Sequence, residues 1–297
     1  MKRGHTLLLG IVLALFPGCK NKTITSESND WNTGEITNQS DTNLKPILDQ
    51  MKPVYENSFR QATVNFQYEN EDELVRNFVA GKAKVIILSR WLTPSENQEA
   101  SINQKIEIRE HIFAFDAVAV ISGKNFKDSV LALENIVGLL QKNASTKLIF
   151  DNAHSGIAKQ VMRLCGAAPA AFNYAFVVKN PQEVIDFVAN DPKAIGFIPF
   201  NYISNSYERS VEENRKKFKL LAVSLRDTAY TLSQEDIAYS AYPLKRLLNI
   251  VLGDNPDLVG RGFTNFLHRT QAEKILLKSG LVPKNLPARR VTVRDEL

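Results

Sequence analysis

Apolar and polar positions along this chain follow two periods that alternate. Lys84-Val-Ile-Ile-Leu88 is a continuous apolar run of strand length, the pattern of a strand covered on both faces. Glu35-Ile36-Thr37, Ala62 to Tyr68, Ile106 to Ala114, Ala117 to Ile121, Lys147 to Phe150, Ala194 to Ile198, Lys219 to Ser224 and Leu247 to Leu252 also read as strands. Between them lie segments with helical spacing. Leu44, Ile47, Leu48, Met51 and Tyr55 fall on one face of a helix from about Leu44 to Asn57. Further helices are expected at Glu71 to Ala80, from Pro94 onward, at Leu131 to Leu140, up to about Leu164, at Pro181 to Ala189, Pro256 to Leu267 and Gln271 to Ser279. Strands that alternate with helices make the class α/β.

The N-terminus departs from this pattern. Lys2 and Arg3 precede an apolar run from Leu7 through Phe16 that is about half the ~20 residues a bilayer span needs, so residues 1–18 read as a secretory signal. The signal ends in Pro17-Gly18-Cys19, which resembles the lipobox of bacterial lipoproteins and implies a lipid on Cys19; the alternative is an ordinary cleaved signal with a chance cysteine. Residues 19–33 are polar enough to serve as a flexible tether. The envelope is then the expected location. The remaining residues suffice for two domains or one large one. The net charge of +5 is partly terminal, and no basic face with interleaved aromatics is readable, so nucleic acid is not an expected partner. Cys165 has no partner once Cys19 is lipidated, and His5, His111, His154 and His268 show no metal-ligand spacing. Neither metal nor cofactor is expected. No nucleophile–base pair is readable either: Ser155 and His154 are sequence neighbours. The chain reads as a binding protein rather than an enzyme.

Three loops follow apolar strands and open helices: Ile36 to Leu44, Leu88 to Ser95 and Phe150 to Lys159. In open α/β sheets ligands sit beyond the C-terminal strand ends, where helix N-termini offer free N–H groups to an anion. Ser40, Thr42, Ser89, Ser155 and Gly156 suit such a site; each hydroxyl alone is equally a helix cap.

The order of further segments resembles the phosphate-binding proteins of ABC phosphate importers, a periplasmic-binding-protein type II family. Ser89-Arg90-Trp91-Leu92 is similar to the family's "S-R-x-L", Phe115-Asp116-Ala117-Val118-Ala119-Val120 to its "V-D-G-I-A-V", and Ala194-Ile195-Gly196-Phe197-Ile198 to "A-I-G-Y-V". Tyr242-Pro243-Leu244-Lys245-Arg246 is similar to "Y-P-L-x-R", and Gly262 to Leu267 with Gly280-Leu281-Val282-Pro283 to its C-terminal motifs. The resemblance implies a two-lobed α/β fold with two interdomain crossovers, near Phe115-Asp116 and Val223-Ser224. Lobe I would comprise 34–115 plus 225–297 and lobe II 116–224. It implies phosphate or a related oxyanion as ligand, an ABC permease as partner, and a ligand set of Ser40, Asp41, Thr42, Ser89, Arg90, Asp116, Asn152, Ser155 and Gly156.

The loops depart from the family's "G-S-T" and "R-x-x-S-G-T". Asn38-Gln39-Ser40-Asp41-Thr42 lacks the glycine and adds an acid; Asp151-Asn152-Ala153-His154-Ser155-Gly156-Ile157 lacks the arginine and the threonine. Added acids raise the cost of holding a divalent anion, which Arg90 would offset as a bidentate partner, with His154 adding a donor if protonated. Asp116 either accepts from a protonated phosphate oxygen or ties the crossover through backbone N–H groups. The departures leave a second function open: a binding-protein fold that has lost anion binding and serves as an interaction or sensor lipoprotein.

Overall fold

The computed structural model describes residues 31–141, 144–239, 241–253 and 258–285. The signal, Cys19 and most of the tether lie outside them. Among the described residues no helix is long and apolar enough to cross a membrane. In chain order the elements are β1 (Gly34–Asp41), α1 (Lys45–Ser58), β2 (Ala62–Glu69), α2 (Glu71–Val79), β3 (Val85–Leu88), α3 (Pro94–Gln104), β4 (Ile108–Gly123), β5 (Val130–Ala132), α4 (Ile136–Leu139), β6 (Lys147–Phe150) and α5 (Gly156–Leu164). There follow β7 (Phe176–Val177), α6 (Pro181–Asn190), β8 (Ala194–Pro199), α7 (Arg209–Arg215), β9 (Phe218–Leu225), β10 (Thr228–Tyr230), α8 (Gln234–Ala238), β11 (Lys245–Gly253), α9 (Leu258–Leu267), α10 (Thr270–Lys278) and β12 (Val282–Pro283).

The fold is two-lobed α/β. The main strand order is β2-β1-β3-β11-β4-β8-β6-β7. β1 runs parallel to both β2 and β3, and β11 joins antiparallel between β3 and β4. β4 spans both lobes. Its first part pairs with β11, whereas Val118 to Gly123 pairs with β8 and β9. The two apolar runs at 106–114 and 117–121 are therefore a single long strand. No turn residue separates them, and Phe115-Asp116 continues the ladder opposite Leu247 and Arg246.

β3 shows why its run is apolar throughout. Val85 and Ile87 face one core with α1, α9 and α10, and Ile86 and Leu88 face another with α2 and α3. The second lobe packs on Val118 to Ile121, β6, β8, α5 and α6. Leu232, Ile237, Tyr242 and Leu244 join that second core, and the Tyr242 hydroxyl donates to the Val118 carbonyl at 3.0 Å.

One expected helix is absent. Leu131 to Leu140 begins as β5, which pairs parallel with β9, and becomes helical only as a 3-10 turn and the short α4. Its apolar residues fit either period, and β9 supplies a strand edge that sequence spacing does not show. The short helices α7 and α8 and the β9–β10 hairpin carry too little periodic signal to be expected from it.

Candidate functional site

Strands β1 and β3, parallel to each other, and β6, parallel to its own neighbours β7 and β8, deliver their C-terminal ends to the space between the lobes. Asp41 closes β1, Ser89 follows β3, and Asp151 follows β6. Beneath Asp151, Phe150 stacks on Phe197 of β8 with centroids 4.7 Å apart, which holds the strand end in place. Ser155 caps α5, accepting from the Ala158 N–H at 3.2 Å, and its hydroxyl donates to Asp151 Oδ1 at 2.8 Å.

Gly156, the first residue of α5, is the focus. A Cβ there would lie 2.6 Å from Glu71 Oε2, 2.9 Å from Ser89 Oγ and 3.3 Å from Asp41 Oδ2. Only glycine lets these three atoms of the first lobe approach the α5 N-terminus so closely. Arg246 reaches the same place from β11. Its Nη1 lies 3.4 Å from Ser89 Oγ, and Nε and Nη2 donate to Asp116 Oδ2 at 3.1 and 2.6 Å. Asn201 also donates to Asp116 Oδ2, at 2.9 Å, and to the Asn43 carbonyl at 3.1 Å. Asp116 is therefore tied by side chains of Arg246 and Asn201, not by the backbone N–H groups that one reading of the sequence assigned it.

Three carboxylate oxygens here are buried without a hydrogen-bond partner: Asp41 Oδ2, Glu71 Oε2 and Asp116 Oδ1. Burial pushes the Asp41 carboxyl up to about 7, against the pull of Arg246 and the Asn43 N–H and with the push of Glu71 and Asp151. Burial likewise raises Asp151, with Ser155 and Arg246 opposing.

Arg90 lines the cleft, but its guanidinium is taken up by neighbouring carboxylates. Nη1 and Nη2 form a fork with Glu96 at 2.7 and 2.9 Å, and Nε donates to Glu71 Oε1 at 2.9 Å. Glu96 is held for this by its capping box with Thr93. The guanidinium is committed to acids of its own lobe.

Of the other expected residues, Ser40 is buried and donates to the Asp41 carbonyl, and Thr42 donates to the Glu69 carbonyl at 3.2 Å. Asn152 accepts from the His154 N–H at 2.8 Å, an Asx turn that leads into α5. Asp41, Ser89, Asp116, Ser155 and Gly156 converge, whereas Thr42 and Asn152 serve the loops. Sequence reasoning missed Arg246, Glu71 and Asn201, and weighed Asp151 only as an added acid in the loop. Arg246 was visible, as the last residue of the "Y-P-L-x-R" segment.

Ion pairs between the lobes surround the focus. Lys159 of α5 contacts Glu71 Oε1 at 3.2 Å and pairs with Asp72, and His154 Nδ1 lies 2.9 Å from Asp72 Oδ2. Partial burial opposes charge on both members of the Lys159–Asp72 pair. Their attraction outweighs it, raising Lys159 and lowering Asp72. A cleft of about 520 Å³ opens outward from the focus, lined by Glu71, Ser89, Trp91, Gly156, Arg163 and Arg246 among others.

Known proteins share this fold. The phosphate-binding protein PstS of Borreliella burgdorferi is 23% identical over 301 residues, covering 95% of this chain and 99% of that protein. Among solved structures, a Clostridium perfringens protein crystallised with bound phosphate superposes with a TM-score of 0.70 at 16% identity, covering 85% of this chain and 100% of that one. An ABC-type phosphate transport receptor from Vibrio cholerae gives a TM-score of 0.63 at 21% identity, covering 83% and 99%. The model of the PBP superfamily domain matches residues 25–269, and the chain belongs to that family.

Proposed function

We propose that this protein captures phosphate between its lobes and delivers it to an ABC permease, held at the membrane by lipid on Cys19. The observation that carries the reading is the set of atoms around Gly156. The α5 N-terminus, Ser89 and Arg246 supply donors for an oxyanion, while Asp41 Oδ2 is a buried acceptor without a partner. Above pH 7, where the raised Asp41 carboxyl is ionised, such an acceptor suits an oxyanion that still carries a proton. Phosphate does; sulfate does not. The bound phosphate in the Clostridium perfringens protein and the PstS relative support the same ligand. The same donors weigh against a fold that has lost its anion site. No covalent step is required, so the role is that of a receptor and not an enzyme.

The proposed ligand set is Ser40, Asp41, Ser89, Ser155 and Gly156 with Arg246 as the cation, Asp116 holding Arg246 in place and Arg90 acting through Glu71. The packing of Leu232 to Leu244 on the second core supports a return crossing after Leu244 instead of at Val223-Ser224. Titration calorimetry with phosphate and with sulfate tests the reading. Phosphate is expected to bind and sulfate to fail, with Arg246→Lys weakening phosphate more than Arg90→Ala. Absence of heat with phosphate overturns it.

A further inference from the structure

We propose that this site takes phosphate with two protons in the pocket, as the monoanion, each proton lying against one of two buried carboxylate oxygens beside Gly156, Asp41 Oδ2 and Glu71 Oε2. The inference rests on the phosphate reading above and goes on to name the ionic species.

Both residues are buried to about 1% exposure, and neither oxygen has a hydrogen-bond partner. Both lie beside Gly156, on the side where the α5 N-terminus and Ser89 present donors. An ionised carboxylate oxygen only accepts. Against a bare phosphate oxygen it would make no hydrogen bond and would repel it, whereas a P–OH group satisfies it. Two such oxygens call for two protons.

The orientation of Glu71 is fixed. Its Oε1 receives Arg90 Nε at 2.9 Å and Lys159 Nζ at 3.2 Å, which leaves Oε2 turned to Gly156. The charged groups around the pocket leave little surplus for a dianion, even with Arg163 of α5 and Lys245 of β11, which also line the cleft. β1 brings Asp41 and β6 brings Asp151. β11 brings Arg246, which is matched by Asp116 of β4. The end of β3 brings Arg90, which is shared between Glu71 and Glu96. α5 brings Lys159, which is shared between Glu71 and Asp72, and the turn before it brings His154, also against Asp72. Asp41, raised to about 7, can share its proton with the ligand. Above neutrality, therefore, the complex holds one proton more than dibasic phosphate and ionised Asp41 hold apart.

Titration calorimetry with inorganic phosphate from pH 7 to 9 tests this. Kd is expected to rise about tenfold per pH unit, with about one proton taken up per phosphate, as linkage requires. Heats in buffers of different ionisation enthalpy read the proton count directly. Glu71→Gln sharpens the test. Arg90 and Lys159 keep the amide oxygen where Oε1 was, so the amide NH₂ faces the ligand as a donor. That variant is expected to accept the dianion, with a flattened pH slope and proton uptake near zero. If the variant fails to fold, the proton count of the unaltered protein decides alone. Binding that is independent of pH, or that strengthens above neutrality, overturns the inference and leaves the phosphate reading intact. No binding at any pH overturns both.

Discussion

Replacing Asp41 with asparagine should change how the protein's stability depends on pH, and the size of the change follows from its surroundings. The carboxyl ordinarily titrates at 3.8, and burial in the fold pushes it up to about 7. Between those values the unfolded chain has lost the proton that the folded chain keeps. Unfolding then releases a proton, so stability falls as pH rises. The contribution of this group is fully present below 3.8 and is lost as pH passes 7. At about 1.36 kcal/mol per pH unit, the whole rise corresponds to roughly 4 kcal/mol, of which about 2–3 kcal/mol is lost between pH 5 and pH 7.

The Asp41→Asn variant has no side-chain proton to lose in this range, and its amide oxygen can still accept the Asn43 N–H that Asp41 Oδ1 accepts at 3.0 Å. Urea unfolding of both proteins in phosphate-free buffer at pH 5, 6, 7 and 8 isolates the effect. The stability of the unaltered protein minus that of the variant should fall by about 2–3 kcal/mol from pH 5 to 8. Asp151, also raised, interacts with Asp41, so both proteins are compared in an Asp151→Asn background, which removes its titration from the difference. A difference that stays flat across this range refutes the assignment of the buried proton to Asp41.

Gly156→Ala places a methyl 2.6 Å from Glu71 Oε2 and 2.9 Å from Ser89 Oγ, atoms of the opposite lobe. It should weaken phosphate binding more than tenfold while costing little global stability, because opening the cleft relieves the clash; affinity within twofold of the unaltered protein refutes this. Arg246→Met leaves Asp116 buried and without its cation, an expected loss of about 3–5 kcal/mol in chemical denaturation. Adding Asp116→Leu should recover most of that loss, and additive losses in the double variant contradict the pairing.

The strand ends were legible because their chemistry is local. Ser155 caps α5 and Thr93 caps α3, and a hydroxyl before a helical run announces itself in sequence. The partners of the buried charges were not legible. Arg90 looked like an anion clamp because an arginine after an apolar strand faces a cleft; what redirects it is Glu96, six residues on, and Glu71, nineteen residues back. Glu71 opens a helix rich in acids, Glu71-Asp72-Glu73, which reads as a favourable solvated N-terminus. Only the closed cleft shows that Glu71 is buried while Glu73 is not. Arg246 lies 130 positions from Asp116, and sequence spacing does not reveal a pair made by adjacent antiparallel strands.

These buried acids explain why the missing loop arginine and glycine need not abolish the site. A pocket lined with donors alone would hold any small tetrahedral anion. Here the cations that contact the buried acids are matched before a ligand arrives: Arg246 by Asp116, and Arg90 and Lys159 by Glu71 and their outer acids. What remains unmatched is acceptor capacity at Asp41 Oδ2 and Glu71 Oε2. Such a pocket gains little from the charge of its ligand and much from the ligand's protons. Both lobes supply the atoms, since Asp41, Glu71 and Ser89 come from one and Gly156 from the other. A ligand that satisfies them therefore favours the closed form, and one without protons leaves two carboxylates unsatisfied across the cleft. Proton content and lobe closure are coupled through the same two oxygens.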